Sequence, residues 1–124
     1  MGLVMYAYTT TADIPSVDFD MHSLPCEEIH YWRKHPNLHG WMECLYHERG
    51  GADMDFNCAT LRLTPQDLDR LERDVRVGVL PYTRGFFFGE SQLTSEERDD
   101  DLEFIAGARE AIAAGLNVFY TSWW

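Results

Sequence analysis

An α+β fold with a small sheet is what this sequence predicts, and three observations carry the prediction. Apolar residues recur at helical spacing in three separated stretches, each opened by a capping or proline signal. Short runs of aromatic and β-branched residues stand between and around those stretches. Strands are too few for a doubly wound sheet, and two helices in succession before the last strand spoil a regular βαβ alternation. The expected arrangement is a sheet of about three strands packed with three helices, in the order β-α-β-α-α-β, forming a single domain over residues 1–124.

Residues 3–9 are apolar, aromatic and β-branched and predict the first strand, followed by a loop over 10–23 that carries Pro15. Pro25 can occupy a first helical turn, where its missing N–H costs nothing, and Glu27 and Glu28 suit the positive end of a helix dipole. Ile29, Trp32, His39, Met42 and Leu45 then fall near helical spacing, so 26–48 is expected to be helical, with a kink or a restart at Pro36. Gly50-Gly51 closes that helix, and 56–63 predicts a second strand. Thr64-Pro65-Gln66-Asp67 is a helix start with a Thr cap, and Leu68, Leu71 and Val75 are its inner face. Residues 77–93 hold too many Gly and Pro for a regular element. Thr94-Ser95-Glu96-Glu97 opens a third helix with Leu102, Ile105, Ala108 and Ile112 as its core stripe, and 117–124 forms a final strand.

The chain carries 21 acidic against 10 basic residues, a formal charge of -11, and its field repels phosphate backbones. Nucleic acid is therefore not an expected partner. Cys26, Cys44 and Cys58 have no C-x-x-C spacing and are odd in number, which points to a reducing compartment. The first residues lack the features of a secretory signal, no stretch reaches the length of a membrane span, and a cytoplasmic location without membrane partners is the expectation.

Residues 28–41 concentrate histidines, tryptophans and two of the scarce cations. On a helix, His30, Lys34, Asn37 and Trp41 share one side, while Ile29, Trp32, His39 and Met42 share the core side. Arg33 can offer a planar fork of donors to a phosphate or carboxylate, and Tyr31 or Trp41 a stacking face to a ring. Tyr31, Arg33, Lys34, His35, Asn37 and Trp41 are thus expected to bind a small anionic or nucleotide-like ligand, under a lid that contributes Arg84 and Phe88. The spacings His35/His39 and His22/Cys26/His30 invite a metal, but prolines interrupt both registers, so no metal site and no cofactor are expected. No residue is assigned a catalytic role. Asp99-Asp100-Asp101 reads as negative charge in the first turns of a helix. The Phe86 to Phe88 run and Trp123-Trp124 offer more apolar surface than one small core hides, which predicts a homo-oligomer, most simply a dimer.

Three segments taken together, Tyr31-Trp32-Arg33-Lys34-His35 with Leu38-His39 and Trp41, then Leu80-Pro81 with Gly85-Phe86-Phe87-Phe88-Gly89, then Tyr120 with Ser122-Trp123, carry a family resemblance. The chain resembles small proteins of tailed phages and prophages, some of which carry the label phosphoglycerate kinase. That kinase is a far larger two-domain enzyme, and no nucleotide-phosphate loop is present here. Pro36 stands where the family commonly has Asn, with Asn37 one place later. The resemblance implies the cytoplasm of a bacterial host and, by analogy, a counter-defence protein that sequesters a nucleotide-like immune signal. Two other classes stay open: an acidic inhibitor that binds a host protein, and a small enzyme acting on a nucleotide or sugar through His30 or His35.

Overall fold

The computed structural model describes residues 2–85 and 88–124. Its described residues form three α-helices and one four-stranded antiparallel sheet: β1 (Val4–Thr10), β2 (Cys26–Arg33), α1 (Pro36–Glu48), β3 (Leu61–Leu63), α2 (Pro65–Val77), α3 (Ser95–Ala113) and β4 (Asn117–Trp123). The α+β class holds. The strand count and the order do not, because the observed order is β-β-α-β-α-α-β and the sheet runs β2-β1-β4-β3.

The difference lies in 26–48. Its first part is strand β2, antiparallel to β1 with Met5 opposite Trp32 and Tyr6 opposite Tyr31. A register shift at Ala7/Tyr8 pairs Ala7 with His30 and Tyr8 with Glu28, leaving Ile29 as an extra residue. That bulge spoils the strict alternation of a strand and lets Ile29 and Trp32 imitate helical spacing. Pro25 is therefore not in a helix, and the co-facial set His30, Lys34, Asn37 and Trp41 does not exist. Lys34 takes a left-handed backbone (φ 56) that turns the chain, and Pro36 becomes the first residue of α1. The expected strand over 56–63 shortens to Leu61–Leu63 because Phe56 and Cys58 both have positive φ.

The two later helices follow their caps. Thr64 accepts from the Asp67 N–H while Asp67 accepts from the Thr64 N–H at 2.8 Å, a reciprocal capping box, and Leu68, Leu71 and Val75 are buried as expected. Thr94 caps α3 by accepting from the Glu97 N–H. The buried stripe of α3 is Asp101, Phe104, Ile105 and Ala108, with Leu102 and Ile112 only partly buried, so the expected stripe is rotated toward Asp101.

Helices cover one face of the sheet. Met5, Ala7, Trp32, Leu61, Leu63, Val118 and Tyr120 point into a core shared with Leu38, Met42, Leu68, Leu71, Phe104 and Ile105. The opposite face carries aromatic rings in sequence: Tyr31 lies 5.3 Å from Tyr6, Tyr6 5.9 Å from Tyr8, Tyr8 5.5 Å from Phe119, and Phe119 5.1 Å from Phe19. Trp124 docks edge-on to Phe88 at 4.9 Å, and its backbone is clasped by the Asn57 amide, whereas Trp123 is 61% exposed.

Gly40 sits inside α1 against the side chain of Thr83, and a methyl group there would overlap it. Gly40→Ala gains about 1 kcal/mol of helix propensity, while overpacking of this kind costs about 1–3 kcal/mol. A net loss of stability is expected, with part recovered when Thr83→Gly is added. A Gly40→Ala protein with a higher urea midpoint than wild type would refute this packing.

Candidate ligand cavity and the His35 relay

His35, at the amino end of α1, offers no side-chain cap to its own helix. Ser91 supplies the cap from outside: its Oγ accepts from the Asn37 N–H at 3.1 Å. With that lone pair occupied, the Ser91 hydroxyl can donate to His35 Nδ1, 2.7 Å away. The His35 ring then carries its proton on Nε2, which donates to Asp101 Oδ2 at 2.9 Å. Asp101 Oδ1 accepts from the Trp32 indole N–H at 3.2 Å. Burial pushes the Asp101 carboxyl above its ordinary value, and the His35 and Trp32 donors pull the other way. Glu97 Oε2 lies 3.5 Å from His35 Nδ1, but this carboxylate already accepts from the Gln92 and Leu93 N–H groups at 2.9 and 3.2 Å.

The chain from Asn37 through Ser91, His35 and Asp101 to Trp32 therefore joins α1, the 78–94 segment, α3 and β2. Chemically it is also a hydroxyl, a base and a carboxylate in hydrogen-bonded order, the geometry by which a serine can be relieved of its proton.

His35 and Asp101 form the floor of a cavity of about 440 Å³ between the carboxyl end of α2 and the amino end of α3. Val75, Val77, Leu80 and Leu93 make its apolar wall, and Arg76 and Arg98 also line it, with Arg76 Nε paired to Glu72 at 2.8 Å. Asn37, Thr94, Ser95 and Glu97 complete the polar part. A smaller recess of about 260 Å³, which His35 also lines, is bounded by Tyr31, Trp32, Arg33, Gln92, Glu96, Glu97 and Asp100.

The residues expected to form one pocket are distributed among these features. His35 and Asn37 reach the larger cavity, and Tyr31, Arg33 and His35 the smaller. Trp41 is buried between helices, its indole N–H donated to Asp74 at 2.8 Å and Arg70 stacked over its ring. Phe88 is buried edge-on to His39 at 5.2 Å. Lys34 lays its methylenes against Gly89, and Arg84 is exposed. The rest of the expected phenylalanine lid, Phe86 and Phe87, lies outside the described residues. His30 lies tilted against Trp32 at 4.4 Å and meets Asp100 at 3.1 Å. His39 is a core residue: burial lowers its pKa to about 4, and its Nδ1 takes the Tyr120 hydroxyl at 2.7 Å. Among the described residues no group of three or more His, Cys, Asp or Glu is placed to hold a metal ion, and no described helix is long and apolar enough to cross a membrane.

Ser91, Asp101, Arg76 and Arg98 were not anticipated. For Asp101 a signal existed, because 101, 104, 105 and 108 share one helical stripe, so a carboxylate there must be buried with Phe104 and Ile105. Ser91 carried none. No protein-family model, curated protein or solved structure matches this chain.

Proposed function

We propose that the protein binds a small anionic or nucleotide-like ligand in the larger cavity and leaves it unchanged. One observation carries this reading: in a chain of charge -11, two arginines, Arg98 and the Glu72-paired Arg76, line a cavity of about 440 Å³ that also has an apolar wall. That volume suits a nucleotide-sized molecule. The guanidinium groups suit a phosphate or carboxylate, and Val75, Val77, Leu80 and Leu93 suit the face of a ring. The phage resemblance adds the setting, counter-defence by sequestering a host immune signal. Calorimetry with nucleotides and cyclic dinucleotides tests the reading. Arg98→Ala is expected to weaken binding by about tenfold to a hundredfold if a charge-assisted hydrogen bond is lost, with Arg33→Ala, outside this cavity, changing it little. No heat from any ligand, and none released from the denatured purified protein into a mass spectrometer, would sink it.

A second reading, a small enzyme acting through His35, is favoured by the Ser91–His35–Asp101 order. In that reading Ser91 Oγ forms a bond to an electrophilic acyl or phosphoryl centre, its proton passes to His35 Nδ1, and the leaving group departs. A fluorophosphonate probe should then bond through phosphorus to Ser91 with loss of fluoride, and Ser91→Ala should abolish the adduct. Failure to label at neutral pH leaves Ser91 with its capping role alone.

A further inference from the structure

Among the described residues no helix lies over the aromatic face of the sheet, and no part of the binding reading uses that face. On β1 and β2 this face presents Val4, Tyr6 and Tyr8 beside Arg33, Tyr31 and Glu28, in paired positions. Trp123, opposite Val4 on β4, extends it. Tyr31 is 45% and Trp123 61% exposed, while Phe119 is sealed beneath Tyr8 and Phe19. An uncovered strip of this kind marks an interaction surface. Its charges say which partner fits. Arg33 stands at one end of β2 and Glu28 toward the other, both exposed, with Tyr31 between them.

We infer that this face is the contact between two copies of the chain, packed sheet to sheet about a two-fold axis perpendicular to the strands. Such an axis reverses strand direction and keeps each strand opposite its own copy. Arg33 of one protomer then meets Glu28 of its partner, and the reciprocal pair forms at the other end. The tyrosines fill the space of about 10 Å between aligned sheets. Trp123 closes the margin against its partner. The two protomers repel each other through a net charge of -11 apiece, so aromatic burial and the two Arg33–Glu28 pairs must overcome that field.

Charge reversal tests this with opposing signs. Sedimentation equilibrium of the full chain at about 1–100 µM should show a monomer–dimer equilibrium. Arg33→Glu should raise the dissociation constant at least about tenfold, since like charges then face each other. Glu28→Arg should raise it as well, although it reduces the net negative charge and so would tighten any association governed by overall repulsion. Combining Arg33→Glu with Glu28→Arg should restore the constant to within about threefold of wild type. Trp123→Ser should weaken the dimer, and each exposed substitution should leave the circular dichroism spectrum intact. A strict monomer overturns the inference. So does a Glu28→Arg protein that associates as tightly as wild type or more tightly, which would place any dimer contact elsewhere, or a double variant without recovery.

Discussion

Trp32→Ala is expected to leave the protein unfolded or barely folded at room temperature. The indole is 4% exposed and lies edge-on to Phe104 at 4.8 Å. Its N–H is one of the two donors that satisfy buried Asp101. Truncating a buried tryptophan costs about 3–5 kcal/mol, and depriving a buried carboxyl of a donor adds about 1–3 kcal/mol. Against a total stability of about 5–15 kcal/mol for a domain, this is a large share. Trp32→Phe separates the contributions, since it keeps most of the ring and loses the N–H. Its urea midpoint should fall between those of wild type and Trp32→Ala. A Trp32→Ala protein that melts with wild type would show that Asp101 and the ring contribute nothing to the native state.

The second large effect is acid destabilisation centred on His39. Burial lowers its folded pKa to about 4 from the ordinary 6.5, so the native state holds the neutral ring and resists protonation. The stability this represents is fully present above pH 6.5 and is lost as pH falls through that value toward about 4. At 1.36 kcal/mol per pKa unit, the loss across this window is about 3 kcal/mol. Asp101 works in the other direction: with its folded pKa raised, its contribution is greatest in acid and fades as pH rises through that value. Glu72, held low by Arg76 and Arg109, enters only below the ordinary 4.5 of a glutamate. Urea titrations at pH 7 and pH 4 should therefore differ by roughly the His39 amount. His39→Gln, which keeps an acceptor for the Tyr120 hydroxyl, should remove most of the difference. Equal pH dependence in the two proteins would exclude His39 as its source.

What could be read from residues alone follows from how local each signal is. The caps at Thr64 and Thr94 act within a single turn, and both helices start where those residues say. Strand β2 was illegible because its identity depends on pairing with β1, and the Ile29 bulge erases the alternation that would have announced it. Losing that strand also misplaced the site, since a helix through residue 34 would have put Lys34 and Trp41 on one side. Residues 28–41 do hold part of the site, but only His35 and Asn37 of the expected ligand residues reach the larger cavity. The other half arrives from far along the chain at Ser91, Arg98 and Asp101. Contacts of that sequence separation leave no periodic trace.

Asn37 holds the 78–94 segment at two points: its side-chain oxygen accepts from the Thr83 N–H at 3.1 Å, and its backbone N–H donates to Ser91 at 3.1 Å. One side chain and one helix end thus tie both Thr83 and Ser91 to the start of α1. Protection from hydrogen exchange at the Thr83 amide and at the amides of the first α1 turn should rise and fall together, as one cooperative opening unit. Asn37→Ala should lower the opening free energy of that unit while the amides of α2 keep theirs. Asn37, itself part of the cavity lining, would then set the timing of a local opening as well as part of what the cavity presents.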